Sequence, residues 1–177
     1  MSIVLLATIN ALYFIFPAYC ANAAPVIFGG GTPIDIGRKF LDRKPILGSH
    51  KTFRGFFAGL IIGSSVGFVQ HVLFQSSSFL QDTLWFQSSV SLGFILSLGA
   101  LVGDLIGSFF KRRLGLSPGA SLPMADQLDF VVTALLFSLL VSPPPLPAVL
   151  IIVVITPPMH FLSNLVGRLL RKKNISC

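Results

Sequence analysis

The sequence predicts an all-α integral membrane protein, a bundle of five transmembrane helices with its N-terminus outside and its C-terminus inside. Three observations carry this. Apolar residues make up 53% of the 177 positions and charged residues only 11%, where a soluble domain carries roughly 25% charged residues. Five apolar runs are long enough, or nearly so, to cross a bilayer. All 13 Lys and Arg residues fall in alternate connecting segments, as the positive-inside rule requires.

The runs cover residues 3–19, 53–74, 85–110, 128–141 and 146–165. The first ends near Ala21-Asn22-Ala23, which is cleavage-like, but it lacks the basic start of a signal peptide and is read as a helix. The fourth reaches full length only if it begins near Met124, which puts Asp126 and Asp129 in its first turns. The fifth holds Pro157-Pro158, which free backbone carbonyls and bend a span, and His160, read as a packed polar residue. Pro143-Pro144-Pro145 cannot continue a helix and forces a tight outer crossing. The whole chain, 1–177, reads as one transmembrane catalytic domain.

Basic residues occupy segments 38–54, 111–113 and 168–173, each flanking an apolar run. The net charge of +7 is therefore a membrane-flank signal facing anionic lipid, and argues against nucleic acid as a partner. Cys20 and Cys177 fall near the inner face and read as free thiols. Asn174-Ile175-Ser176 matches a glycosylation pattern on the wrong side of the membrane. In the first inner loop, Thr32-Pro33-Ile34-Asp35 reads as a helix start and Pro45 as a stop. A short amphipathic helix over 33–43, lying in the interface with Asp35 and Asp42 toward the pocket, is the expectation.

The acids are more telling. The chain has six, all aspartates: Asp35, Asp42, Asp82, Asp104, Asp126 and Asp129. Asp104, Ser108, Lys111 and Arg112 share one helix face, with Asp104 ~10 Å deeper than Lys111. A carboxylate at that depth needs a cavity, a cation or a metal. Asp126 and Asp129 share a face at the start of the fourth run. With 12 residues between Lys111 and Met124, the third and fourth spans should be antiparallel neighbours, their inner ends joining the three carboxylates. Such a cluster repels itself unless a cation sits within it, and hard oxygen ligands suit Mg²⁺, with Mn²⁺ as a substitute. Lys51, Thr52 and Arg54, in Gly48-Ser49-His50-Lys51-Thr52-Phe53-Arg54-Gly55, supply charge and a hydroxyl for phosphate oxygens. The spacing is not that of a P-loop.

At these residues the chain resembles a family. Ser108-x-x-Lys111-Arg112 followed by Asp126-Gln127-Leu128-Asp129 resembles the signature of CTP-dependent phosphatidate cytidylyltransferases. Asn22-x-x-Pro25, Gly29-Gly30-Gly31-x-Pro33-Ile34-Asp35, Lys51-Thr52-x-Arg54-Gly55 and Gly103-Asp104 look like the archaeal branch, the CDP-archaeol synthases. The chain lacks the Lys-Asp and His-Gly-Gly pieces of the bacterial form. The resemblance implies transfer of CMP from CTP to 2,3-di-O-geranylgeranylglyceryl phosphate, in the cell membrane, with the site facing the cytoplasm. It implies Asp104, Asp126 and Asp129 as metal ligands, Lys111 and Arg112 as catalytic groups, and Lys51, Thr52, Arg54, Ser108 and Asn22 as nucleotide contacts. The partners implied are CTP, the lipid phosphate and the bilayer. Ether or ester tails make the same apolar contacts, so a diacyl-specific synthase is the alternative within enzymes. A small membrane transporter or a structural subunit are the alternatives outside them, and the sequence leaves the oligomeric state open.

Overall fold

A computed structural model describes residues 2–120, 122 and 125–173, with side chains described as far as Met159 except at Ala125. His160, Cys177 and the 174–176 sequon lie outside the described residues or side chains. The described chain is helical: α1 (Ile3–Phe28), α2 (Phe53–Ser76), α3 (Ser78–Thr83), α4 (Val90–Arg113), α5 (Ala125–Ser138) and α6 (Leu146–Lys173). Three of these, α1, α2 and α4, are long and apolar enough to cross a membrane. The apolar part of α6 runs over Leu146–Met159, and α5 has 14 residues.

Each apolar run of the sequence becomes a helix. The first extends well past residue 19, through Pro17 and Pro25, to Phe28. Ser2, Thr52, Ser77 and Ser89 cap the helices that follow them, each side-chain oxygen accepting an N–H of the first turn. The connection between α2 and α4 holds the short α3, which sequence reading leaves as loop.

The helices meet through glycine rather than through large side chains. Gly55, Gly59, Gly63 and Gly67 form one buried line along α2. A methyl group at Gly67 would overlap the backbone of Gly93 on α4, and one at Gly63 would meet Ser97 and Ala21. Gly99, Gly103 and Gly107 of α4 do the same against Ala134, Phe130 and Asp129 of α5. Antiparallel α2–α4 and α4–α5 pairs result, backbone against backbone, as small residues allow between membrane helices. Beside this ladder, Phe14, Leu96, Ala100, Val131 and Ile152 fill the centre. Tyr19 Oη and Thr156 Oγ1 lie 2.8 Å apart and tie α1 to α6.

The loop between α1 and α2 corrects an expectation. Residues 33–43 do not form an amphipathic helix. Ile34 N–H donates to Lys51 O, and Phe53 N–H to Thr32 O, so the two ends of the loop pair with each other at a Pro33–Thr52 bridge. Inside it, Phe40 N–H donates to Lys44 O and Arg38 O accepts from Ile46 N–H, around a second bridge, Lys39–Pro45. Ile36, Gly37 and Arg43 take left-handed φ of 50°, 70° and 60°, which no helix can accommodate. The physical cause is Asp35. Its carboxylate accepts from Gly37 N–H at 3.0 Å and from Leu47 and Gly48 N–H, both at 2.9 Å. Those donors lie up to 13 positions away, so the side chain organises a compact loop instead of a first helical turn.

Candidate active site

The polar residues gather where the loop of residues 29–52 meets the C-terminal end of α4 and the start of α5. Thr52 is buried and caps α2 through a 3.2 Å bond from Gly55 N–H. That cap, with the Ile34–Lys51 backbone bond, fixes where Lys51 points. Its Nζ donates to both carboxylate oxygens of Asp104, at 2.7 and 2.5 Å. One turn further along α4, Ser108 is buried.

Lys111 and Arg112 then diverge around the helix. Lys111 Nζ pairs with Asp126 at 2.8 Å, bridging α4 to α5. Asp126 also accepts from Leu122 N–H at 2.9 Å. Asp129, one turn on, accepts from Phe130 N–H at 2.6 Å and lies within electrostatic reach of Asp104, Lys111 and Asp126. Its carboxylate occupies the space that a side chain at Gly107 would fill. Arg112 is only 4% exposed, and its side chain makes no hydrogen bond or ion pair among the described residues. Its guanidinium lies beside Gly48 of the loop between α1 and α2.

Sequence reasoning missed Arg113. It pairs with Asp42 at 2.9 Å, donates to Pro45 O at 2.5 Å, and stacks on Phe40 and Phe109 at 5.0 and 4.7 Å. Lys44 Nζ donates back to Arg113 O at 2.9 Å. Together these clamp the loop between α1 and α2 onto α4, with Asp42 paired to Arg113. The signal was that Arg113 is the third basic residue of the run Lys111-Arg112-Arg113. Arg54 is exposed at the start of α2, and Asn22 is half-buried inside α1 without a side-chain hydrogen bond among the described residues.

A groove of about 420 Å³ lies between α4 and α5. Ile106, Phe110, Leu114, Leu128 and Val132 line it, and Lys111, Asp126 and Asp129 stand along one edge. Its volume is in the range of small-molecule sites, which run from ~300 to ~1,000 Å³.

A divalent cation fits this donor set by its chemistry. The carboxylates of Asp104, Asp126 and Asp129 are hard oxygen donors, and two of them hold an ammonium where a cation would lie. Among the described residues no three His, Cys, Asp or Glu side chains already stand together as ligands, so the lysines have to move for one ion to be shared.

The comparisons decide the family. The CarS-like family model, described as CDP-archaeol synthase, matches residues 2–177. This chain belongs to the CDP-archaeol synthase family. It is 44% identical over 166 residues to the CDP-archaeol synthase of Pyrococcus abyssi, covering 94% of this chain and 96% of that one. Identity to the CDP-archaeol synthase of Methanocaldococcus jannaschii is 42% over 170 residues, covering 93% and 94%. The fold also matches a solved structure of an intramembrane enzyme for archaeal membrane lipids biosynthesis, with a TM-score of 0.76 and 33% identity. That match covers 89% of this chain and 94% of the other. CDP-archaeol synthase membership agrees with the resemblance read from the motifs.

Proposed function

We propose that this chain forms CDP-archaeol and pyrophosphate from CTP and 2,3-di-O-geranylgeranylglyceryl phosphate. One observation carries the reading beyond family likeness. Two helices and one folded loop bring Lys51, Asp104, Lys111, Arg112, Asp126 and Asp129 to a single end of an otherwise apolar bundle. A polar pocket at the membrane surface is what a reaction between a water-soluble nucleotide and a lipid headgroup requires.

An oxygen of the lipid phosphate attacks the α-phosphorus of CTP. The new P–O bond forms there as the bond to the β-phosphate breaks, and pyrophosphate leaves with the electron pair. Charge builds on the phosphate oxygens, and Lys51, Arg54, Lys111 and Arg112 are the groups that meet it. Asp104, Asp126 and Asp129 would hold Mg²⁺, whose chemistry here is to neutralise phosphate charge and orient the reacting groups. Thr52 and Ser108 support the site from buried positions, Thr52 by holding the turn that presents Lys51.

In this reading α1, α2, α4, α5 and α6 are the five spans, with the N-terminus outside. The folded loop, the end of α4 and the start of α5 then face the cytoplasm, where CTP is available. The alternation of Lys and Arg between connecting segments supports this orientation. The test uses purified protein in detergent with labelled CTP, Mg²⁺ and a panel of ether- and ester-linked lipid phosphates. A labelled CDP-lipid from the ether substrate is the expected product. Its absence, with nucleotide-independent solute flux in liposomes instead, would overturn the assignment.

A further inference from the structure

The end of the bundle away from the loop of residues 29–52 holds a cavity that the cytidylyltransferase chemistry does not use. There α2 ends at Ser76, α4 begins at Val90, and α3 lies between them. The cavity measures about 490 Å³, within the ~300–1,000 Å³ span of small-molecule sites. His71, in its wall, stands about 30 Å along α2 from Lys51, so no side chain reaches both ends.

The wall is polar but carries no Lys, Arg, Asp or Glu among the described residues. His71, Gln75, Gln81 and Gln87 stand around Trp85. His71 Nδ1 lies 2.8 Å from Ser88 O. A carbonyl only accepts, so Nδ1 carries the proton and Nε2 of the neutral ring is left as an acceptor. Gln81 Nε2 donates to the carbonyls of Phe74 and Gln75, which leaves its Oε1 as a second acceptor. Gln75 and Gln87 are exposed, and each amide both donates and accepts. A hydroxyl group does the same, and an ion finds no opposite charge here. The Trp85 ring is fixed from behind by the buried rings of Phe14 and Phe86, at 5.0 and 4.9 Å between centroids. A lone tryptophan is common at a membrane boundary; a rigid one ringed by uncharged hydrogen-bonding groups makes a platform with a polar fence. The rim is different again. Val72, Leu73 and Val90, each next to a wall residue in sequence, are exposed apolar side chains. In a bilayer they meet hydrocarbon, so the cavity suits an amphiphile.

We propose that this cavity binds the hydroxylated headgroup of a neutral membrane lipid. A glycerol or sugar headgroup lies against Trp85 and exchanges hydrogen bonds with His71, Gln75, Gln81 and Gln87. Its hydrocarbon chains run beside Val72, Leu73 and Val90. The bound lipid ties the end of α2 to the start of α4. The site is separate from the catalytic end and stands independently of the reaction assigned there.

Trp85 is the one tryptophan of the chain, so its emission reports on this cavity alone. The full chain is purified in lauryldimethylamine oxide, whose headgroup has no hydroxyl, and titrated with glucosyl diacylglycerol, phosphatidylcholine or free glucose. Glucosyl diacylglycerol is expected to shift the emission saturably and to raise the melting temperature. Phosphatidylcholine, without headgroup hydroxyls, and glucose, without chains, should do neither. Gln75→Ala and Gln87→Ala remove exposed side chains that make no hydrogen bond among the described residues, so the fold does not depend on them. Combined, they should raise the glucosyl-lipid midpoint about tenfold and leave CTP turnover unchanged. An equal response to phosphatidylcholine would reduce the cavity to ordinary lipid contact and overturn the headgroup site. An equal response to free glucose would overturn the assignment to a lipid. A midpoint unmoved in the double variant, or no saturable response in the wild type, would overturn the site altogether.

Discussion

Lys51 Nζ holds both oxygens of Asp104, joining a residue of the loop before α2 to a membrane helix 53 positions away. The pair is part-buried, with side chains 25% and 22% exposed. It is the contact through which the folded loop and the transmembrane bundle share one site.

Breaking that pair should disable turnover more than folding. Lys51→Met and Asp104→Asn are each expected to lower kcat/KM by at least tenfold, from ~1.5–3 kcal/mol of lost charge-assisted contact. Labelled-CTP turnover beside thermal unfolding in detergent checks this. Wild-type turnover by either variant would remove the pair from the site.

Activity should also depend on a divalent cation. Chelation with EDTA is expected to abolish CDP-lipid formation, and Mg²⁺ or Mn²⁺ to restore it. Asp126→Asn and Asp129→Asn keep the shape of the side chain and remove its charge, so both should fold and lose most activity. They lie one turn apart, so combining them should cost little more than either alone. Full turnover in excess EDTA would rule the metal out.

Asp35 gives the loop a pH dependence with a definite sign. Burial alone would push its carboxyl upward, but the N–H groups of Gly48, Leu47 and Gly37 outweigh that and hold it below the usual carboxylate range. A lowered folded value means the stabilisation is complete above the ordinary aspartate value of ~3.9 and fades as pH falls through the lower folded value. Asp35→Asn should therefore lower the melting temperature at pH 7, with the gap to wild type closing in acid. The KM for CTP should rise in the same variant, since Asp35 shapes the turn before Lys51. A gap that did not change with pH would contradict this role for the carboxylate.

The glycine contacts make a fourth prediction. Gly67→Val places a side chain against the backbone of Gly93, so the two helices must separate. Overpacking of this kind costs ~1–3 kcal/mol. Melting in detergent should show the loss, while Phe68→Val one position away on the exposed face should leave it unchanged. Equal melting temperatures would mean that α2 and α4 pack less closely than described here.

Much of this arrangement could be read from the sequence, and the remainder had a shared cause. Apolar length gave the helices, and the short link between Lys111 and Asp126 gave the antiparallel α4–α5 pair. The loop between α1 and α2 misleads because Thr32-Pro33-Ile34-Asp35 satisfies the local rules for a helix start. What overrides it is non-local: Asp35 finds Leu47 and Gly48, and Ile34 pairs with Lys51. The same holds for Arg113, whose partners Asp42 and Phe40 lie about seventy residues away in sequence. The partners of Lys51 and Lys111 were not legible either, since charge and spacing located the basic residues without saying which carboxylate each would meet.

The glycine line along α2 and α4 has a consequence for how this chain can vary. A core filled with leucine can exchange Leu for Met or Ile and repack, because neighbouring rotamers absorb the change. Two backbones in direct contact have no rotamers to adjust. At Gly63, Gly67 and Gly93 the only smaller group than the one present is none at all. Tolerance to substitution is thereby displaced to the lipid-facing sides of the same helices, where Ile61, Phe68 and Phe94 are exposed. The membrane-facing surface is the adaptable part of the molecule, and its interior is the part without spare parts.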